Sequence, residues 1–254
     1  FTRAYANAPN CAPTRACLLS GQYTPRHGVF TVKNSDRGPA AQRKIIPIKN
    51  TTTLSPEFVT IGESIQAAGY RTASMGKWHM GTNEHGPLNQ GFDVNIGGNH
   101  TGGPKGGYFS PYKNPQLKDG PVGEHITDRI GQEACKFITD THQMNKPFFL
   151  YLPFYGVHTP IQAKKELVGK YAALPKKEQQ GKPAYAAMVE VTDNAVGAIM
   201  KKLDELKLVE NTLVIFFSDN GGYGSVTTHG PLRGSKGMIY EGGIREPMCV
   251  RYPG

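Results

Sequence analysis

The chain has 254 residues, of which 38% are hydrophobic, with 31 glycines, 19 prolines and a formal net charge of +9. This composition excludes a disordered or fibrous protein, no apolar run reaches the length of a membrane span, and the first residues show no signal-peptide pattern. The positive charge favours polyanionic partners, although the lysine-rich residues 162–185 are also typical of a solvated surface.

The first predicted element is a short helix in "NCAPTRACLLSG". Pro13 suits its first turn and Gly21 its C-terminal cap, so Cys11 lies at or just before its N-terminus. Free N–H groups, the helix dipole and Arg15 would favour an anion there. The pattern leaves both a packed thiol and a thiolate nucleophile open. A disulfide or metal pair with Cys17 is disfavoured, because six residues of helix turn the two thiols to different faces.

Three helix–strand units follow along the chain. A capping box at Thr60 and Glu63 begins the first, and helical or continuous apolar periodicity defines the others. The bounds are a helix through Ala68 with a strand at 70–75, a helix at 124–142 with a strand at 147–154, and a helix at 184–206 with a strand at 212–219. Strand 147–154 is of the type that is buried on both faces, residues 247–253 predict one more strand, and residues 97–112 predict a long surface loop.

Alternating helices and strands predict an α/β fold, a doubly wound, mostly parallel sheet flanked by helices on both faces. In such sheets ligands bind beyond the carboxyl ends of the strands. The residues that follow the three strands are therefore candidates for one common site: Lys77 and His79, then His158, then Asp219 and Asn220.

The chemistry of these residues fits an anion and a cation held together. Lys77 and His79 are two apart, so in an extended segment they would face the same way. Asp219 and Asn220 supply hard oxygen ligands for a cation. Basic residues among the glycines of 230–247 again suit anion binding. Taken singly, each motif also has an ordinary structural interpretation, such as an exposed lysine or a flexible basic loop.

Together these motifs resemble the sulfatase family over nearly the whole chain. The signature pattern appears as Cys11-Ala12-Pro13-Thr14-Arg15, continued by "ACLLSGQ". The segments "GYRTASMGKWH", "VHTP", "SDNGG" and "KGMIYEGGIREP" follow in the family's order. The resemblance implies an alkaline-phosphatase-like fold and a partial sulfatase catalytic domain over 1–254. It also implies that a first metal-binding strand and a small C-terminal subdomain lie outside this chain.

The resemblance also implies roles for single residues. A formylglycine-generating or sulfatase-maturating enzyme would convert Cys11 to formylglycine, whose hydrate attacks sulfur and later releases sulfate. Asp219, Asn220 and the converted Cys11 would bind one Ca²⁺. Arg15 and Lys77 would hold the hydrate and the metal-side oxygens, and His79 would assist breakdown of the hemiacetal. His158 would protonate the leaving alcohol, and Lys236 would bind the sulfate. The residues expected to contact substrate are His100, Thr101 and Arg233.

The function expected from this resemblance is hydrolysis of the sulfate ester of a small molecule or glycan, in a periplasmic or secreted protein without a nucleic-acid partner. Two alternatives stay open. A phosphoester or phosphonate hydrolase could use the same fold, because both groups are tetrahedral. A non-catalytic polyanion-binding relative would result if Cys11 were not converted.

Overall fold

The structure is a computed structural model that describes residues 1–253, and it has the α/β architecture expected from the sequence. Helices and strands alternate along most of the chain, with short 3₁₀ turns between them. The strands are β1 Ala4–Tyr5, β2 Arg71–Met75, β3 Val94–Ile96, β4 Phe148–Tyr151, β5 Val214–Phe217, β6 Arg245–Glu246 and β7 Met248–Arg251. The helices are α1 Cys11–Ser20, α2 Thr24–His27, α3 Ile61–Ala67, α4 Ile126–Gln143, α5 Lys165–Ala172, α6 Pro183–Glu205 and α7 Glu241–Ile244.

Three of the strands form a parallel sheet in the order β3-β2-β4. Ala73 of β2 pairs with both Val94 of β3 and Leu150 of β4, which fixes the register on the two sides. Among residues 1–253, β5 pairs only with β7, and that pair is antiparallel. The predicted parallel character therefore holds for the central three strands, and the additional strand predicted at 247–253 is confirmed as the antiparallel β7.

The predicted helices agree with the structure to within one or two residues, whereas two predicted strands were too long. Strand 147–154 is reduced to β4 and strand 212–219 to β5. The expectation that β4 is buried on both faces was wrong, because its four residues are only half-buried. In the described part of the chain β4 pairs with β2 alone, so its other edge stays accessible.

The capping box predicted for α3 is present. The Thr60 hydroxyl accepts a hydrogen bond from the Glu63 backbone N–H at 3.2 Å, and the Glu63 carboxylate accepts one from the Thr60 N–H at 2.7 Å. These two bonds satisfy two donors that the first turn of the helix would otherwise leave unpaired. The end of α3 then leads directly into β2, which carries the chain to the site.

Two apolar clusters hold the elements together. The larger lies between the parallel sheet and helices α4 and α6, and includes Ile126, Ile130 and Met188. The smaller lies under α1, where Ala16 and Leu19 pack with Trp78 and Phe92. None of the helices within residues 1–253 combines the length and apolarity that a membrane crossing requires.

Candidate active site

Cys11 is the first residue of α1 and is 1% exposed. The preceding residue, Asn10, is extended and its side chain does not cap the helix, so the N-terminal N–H groups of α1 are left for another acceptor. The Cys11 Sγ lies 3.2 Å from Nδ1 of His79. The nucleophile position predicted from the sequence is therefore a buried group between a helix N-terminus and an imidazole.

Trp78 positions the two predicted residues on either side of it. Its indole is fully buried in the cluster under α1 and donates a hydrogen bond to the His85 carbonyl at 2.8 Å. With this anchor in the core, Lys77 and His79 are held beside Cys11. The expected extended geometry of this segment was wrong, because His79 has a left-handed φ of 66°. A contact between its backbone N–H and the Asn99 carbonyl, 2.8 Å long, holds this turn.

Both residues titrate far from their usual ranges. Lys77 is only 3% exposed, and this burial lowers its pKa to about 8. Burial and the Lys77 charge lower the pKa of His79 to about 3. At neutral pH the site therefore presents a cationic lysine and a neutral histidine to whatever lies at Cys11.

Arg15 is committed to contacts within the protein. Its Nε and Nη2 each lie 2.7 Å from Oδ2 of Asp219, and its Nη1 donates to the Lys77 carbonyl at 2.7 Å. The Tyr151 hydroxyl lies 3.4 Å from the same Nη1. The guanidinium thus joins α1 to the residues that follow β2 and β5, and it orients Asp219 within the site.

Asp219 and Asn220 follow β5 directly and are the candidate cation ligands. Burial would raise the pKa of Asp219, but the positive charges of Arg15, Lys77 and Lys236 outweigh it and lower that pKa, so the carboxylate is ionised. The Asn220 Oδ1 is buried without a hydrogen-bond partner in the described chain. An ionised carboxylate beside an unpartnered amide oxygen fits a hard cation such as Ca²⁺.

These two residues supply only part of a coordination shell. Calcium takes roughly six to eight oxygen ligands. No group of three or more His, Cys, Asp or Glu residues within 1–253 is arranged to hold a metal ion. Within residues 1–253 the candidate cation ligands are therefore limited to the Asp219–Asn220 pair.

His158 follows β4 and lines the same cleft as the residues after β5. Its Nδ1 is 2.8 Å from the Thr159 carbonyl, so Nδ1 carries the proton and Nε2 is left for the cleft. Its backbone N–H donates to the Tyr108 hydroxyl at 3.0 Å. Burial and the nearby Lys77 lower the pKa of His158 to about 4.

The glycine-rich residues 97–112 are not the surface loop that the sequence predicted. Gly97, Asn99 and Tyr108 are buried, because the loop packs across the two histidines. A methyl group at Gly102 would lie 2.6 Å from the His79 ring, and one at Gly103 would lie 3.0 Å from Nδ1 of His158. Only residues without a side chain allow this approach, which orients both imidazoles.

Six of the predicted residues converge on a cleft of about 280 Å³, whereas Cys11 and His79 are not part of its lining. Lys236 reaches it from the segment after β5, and its backbone N–H donates to the Gly222 carbonyl at 3.1 Å. The predicted residues that line the cleft are Arg15, Lys77, His158, Asp219, Asn220 and Lys236. Two lysines and two arginines, Arg15 and Arg245, thus line a space that also holds two carboxyl groups and two imidazoles.

Three predicted substrate contacts lie farther out. The exposed His100 ring is 6.3 Å from the His79 ring, centroid to centroid, at the mouth of the site. The Thr101 hydroxyl is 2.6 Å from Oδ1 of Asn99, which stabilises the loop. Arg233 does not line the cleft and lies on the surface, where its guanidinium is 3.9 Å from the centroid of the Tyr240 ring.

Four polar residues near the site were not predicted from the sequence. Tyr151 ends the apolar strand β4 and contacts Arg15. Tyr185, His229 and Glu246 line the cleft, and Nε2 of His229 and Oε1 of Glu246 are buried without partners among the described residues. A tyrosine in an apolar strand and a glutamate between "IR" and a proline are the only sequence signals. Neither signal indicates chemistry by itself.

The other cysteines show no sign of catalysis. The Cys17 Sγ is 3.4 Å from Nε2 of His27 inside the protein, and burial raises the pKa of this thiol to about 11. Within residues 1–253 all four cysteines are free thiols. The packing role assigned to Cys17 fits this environment.

Comparison with known proteins assigns the chain to a family. The model of the family described as "Sulfatase" matches residues 1–254. The chain belongs to the sulfatase family. The match covers the Cys11 segment and every cleft residue named above, so the family assignment and the geometry refer to the same residues.

Two curated relatives show how far the similarity extends. A protein named sulfatase from Formosa agariphila is 32% identical, and the alignment covers 100% of this chain and 56% of the relative. The N-acetylgalactosamine-6-sulfatase of Homo sapiens is 30% identical, with 100% of this chain and 50% of the relative aligned. The chain therefore spans about half the length of the curated sulfatases it matches.

A solved structure shows the same fold. Ps i-CgsB in complex with k-i-k-neocarrahexaose superposes with a TM-score of 0.81 at 30% identity, covering 100% of this chain and 57% of that structure. The sulfatase, alkaline-phosphatase-like fold expected from the motifs is thereby confirmed.

Proposed function

We propose that this chain carries the sulfate-binding and catalytic centre of a sulfuric-ester hydrolase. The observation that carries the proposal is the position of Cys11, buried at the bare N-terminus of α1 with its Sγ 3.2 Å from His79. A thiol alone does not explain the surroundings, because the neighbouring cleft is lined by two lysines and by the Asp219–Asn220 pair.

The proposal includes conversion of Cys11 to formylglycine by a maturation enzyme. Formylglycine supplies a hydrated aldehyde, with one hydroxyl to attack sulfur and a second to release sulfate afterwards. In the folded chain the Cys11 side chain is 1% exposed, so we expect conversion to precede folding of α1 onto its core. The neutral His79 is placed to accept a proton from the group at position 11.

Lys77 and Lys236 would bind the oxygens of the sulfuryl group. Both line the cleft, and Lys77 is held rigidly because its backbone N–H donates to the Pro153 carbonyl at 2.7 Å. Fixed cations stabilise charge that develops on these oxygens during transfer, without reorganisation of solvent. The N-terminal N–H groups of α1 add a positive dipole from the other side.

His158 would donate the proton that the leaving alcohol requires. Its Nδ1–H is held by the Thr159 carbonyl, so Nε2 is the atom that takes up and gives the proton. In the free site the nearby lysine and burial keep this imidazole neutral. A sulfate ester bound between the lysines would offset their charge and raise the pKa of His158 toward the range of a general acid.

One Ca²⁺ would be held by Asp219, Asn220 and the converted residue 11. The unpartnered Oδ1 of Asn220 and the ionised Asp219 support this assignment. A bound divalent cation would polarise a sulfuryl oxygen and favour the deprotonated form of the attacking group. Arg15 would keep the Asp219 carboxylate oriented toward that position.

A sulfated glycan is the substrate class that the relatives favour. One is named N-acetylgalactosamine-6-sulfatase, and one solved structure contains k-i-k-neocarrahexaose. The net charge of +9 also suits an anionic glycan. A periplasmic or secreted location is part of the same proposal and is supported by the family resemblance alone.

Peptide mass analysis across residues 10–15 of protein from the native host tests the proposal most directly. We expect an aldehyde-bearing residue at position 11, and an unmodified thiol would contradict the formylglycine route. Cys11→Ala should abolish turnover of 4-nitrophenyl sulfate, whereas Cys249→Ala is the control because that thiol is exposed. Faster turnover of 4-nitrophenyl phosphate than of the sulfate would instead favour a phosphoester hydrolase.

A further inference from the structure

Residues 31–50 form a strongly basic segment next to the site. The segment contains five lysines or arginines and one aspartate, a net charge of +4 out of +9 for the whole chain. It has almost no regular structure apart from a 3₁₀ turn at Ala40–Gln42. The cleft does not include it, and the mechanism above does not use it.

The two ends of this segment meet beside the nucleophile. Asn50 Oδ1 accepts hydrogen bonds from the backbone N–H groups of Phe30 at 2.7 Å and Thr31 at 3.1 Å. The Thr31 hydroxyl is 3.4 Å from Nδ2 of Asn10, the residue before Cys11. The segment is therefore a closed loop whose neck is attached one residue from the catalytic position.

The two arginines of the loop hold it together. Arg37 donates to the Asp36 carbonyl at 3.0 Å and to the Thr31 hydroxyl at 3.1 Å. Arg43 donates to the Gly38 carbonyl at 2.9 Å and pairs with the Asp36 carboxylate at 3.3 Å. The only acidic residue of the loop and both of its guanidinium groups are thus used internally.

The three lysines of the loop are presented to solvent. Lys33, Lys44 and Lys49 are exposed, and none of the ion pairs formed among residues 1–253 involves them. Lys33 and Lys49 lie at the neck, because the Asn50 amide donates to the Lys33 carbonyl and Lys49 precedes Asn50. The backbones of two exposed lysines therefore lie at the neck, which is the part of the loop attached to Asn10.

We propose that Lys33 and Lys49 bind a second sulfate group of a polysulfated glycan whose scissile sulfate lies at Cys11. This inference rests on the proposed sulfatase function and narrows its substrate to chains that carry more than one sulfate. The neck contacts Asn10, the residue before Cys11, so an anionic group held at the neck would lie on the same molecule as the scissile sulfate. This position favours a polysulfated glycan over nucleic acid or a membrane.

The test compares a polysulfated galactan oligosaccharide with 4-nitrophenyl sulfate, which carries one sulfate. Two exposed ion contacts are together worth up to roughly thirtyfold in affinity, so K33S/K49S should lower kcat/KM for the oligosaccharide by about tenfold. The aryl ester should change by less than about twofold. Raising NaCl from about 0.1 to 1 M shortens the Debye length from about 10 to 3 Å and should remove the difference between parent and variant.

Two matched variants control for charge and for folding. K33R/K49R keeps both charges and should restore oligosaccharide turnover. K136S/K201S removes two charges from α4 and α6 and should leave both activities unchanged, because neither lysine belongs to residues 31–50 or lines the cleft. An equal effect of K136S/K201S and K33S/K49S would overturn the proposal.

Binding measurements separate this proposal from the proposed function. Cys11→Ala protein cannot complete turnover, so its affinity for the oligosaccharide reports binding alone, with and without K33S/K49S. If the parent hydrolyses no sulfate ester but K33S/K49S still weakens oligosaccharide binding, only the function proposal fails. If K33S/K49S left oligosaccharide binding unchanged, a glycan-specific role of the loop would be refuted. The same conclusion would follow if the double variant weakened binding to single-stranded DNA and to anionic vesicles as much as binding to the oligosaccharide.

Discussion

The Arg15–Asp219 ion pair joins α1 to the end of β5, and its removal should be costly. We consider Arg15→Met, which keeps a long unbranched side chain but removes the charge. The Asp219 carboxylate would lose two contacts of 2.7 Å, and the Lys77 carbonyl would lose its donor. Because Asp219 is half-buried, the variant leaves a partly desolvated, ionised group without its principal partner.

The magnitude follows from the burial of the two side chains. Arg15 is 7% exposed and Asp219 is 26% exposed. Removing one partner of a buried ion pair costs about 3–5 kcal/mol, and the partial exposure of Asp219 places the cost near about 3 kcal/mol. Asp219→Asn should cost a similar amount, since it leaves the guanidinium buried. The double variant should cost about 2 kcal/mol less than the sum, because neither charge is then left alone.

Urea unfolding followed by tryptophan fluorescence measures these free energies directly. Trp78 is the only tryptophan, and it is fully buried between Lys77 and His79, so its emission reports the integrity of the site. Losses that add within about 0.5 kcal/mol in the double variant would show that the two side chains are not coupled. That result would refute the conclusion that the pair holds α1 to β5.

Three further predictions follow from single contacts. Burial lowers the pKa of His125, so the stability that depends on its neutral form is present above about pH 6.5 and is lost as the pH falls below that value. His125→Asn keeps an acceptor for the Thr127 N–H but does not titrate. The free energy of unfolding of this variant, measured in urea, should therefore fall less than that of the parent between pH 7.5 and 5. Gly76→Ala should lower the urea midpoint, because φ is 115° and a methyl group would lie 2.1 Å from the Pro153 carbonyl oxygen. His158→Gln should lower kcat/KM for a sugar sulfate by about 10²–10⁴-fold. For 4-nitrophenyl sulfate the loss should be less than about tenfold, because nitrophenolate leaves without a proton. Equal losses for the two substrates would contradict the general-acid role.

The sequence predicted those parts of the fold that depend on local patterns. The helical period places α4 and α6 within one or two residues, and Thr60 with Glu63 marks the start of α3. The rule that ligands bind beyond the carboxyl ends of strands brings residues after β2, β4 and β5 to one cleft. That rule uses only the order of the elements, so it needs no knowledge of individual contacts.

Features that depend on distant partners could not be predicted. Arg15 was expected to hold the hydrate and the metal-side oxygens, and nothing in its sequence surroundings indicates its contact with Asp219, which is 204 positions away. The turn at His79 depends on a carbonyl in the glycine-rich loop, and that loop was predicted to lie on the surface. Burial of β4 was overestimated for a similar reason, because an apolar run does not reveal which elements pack against its two faces.

The placement of charges explains how one site can both attract a sulfate ester and supply a proton to it. Arg15 pairs with Asp219 and Arg245 pairs with Glu241, so Lys77 and Lys236 are the cleft cations that form no ion pair within residues 1–253. The same lysines help to keep His158 neutral while the cleft is free. When an anionic ester binds between them, their effect on the imidazole weakens and its pKa rises. In the proposed mechanism His158 would therefore be a stronger candidate for proton donation with substrate in place, which would link binding of the sulfate group to protonation of the leaving alcohol.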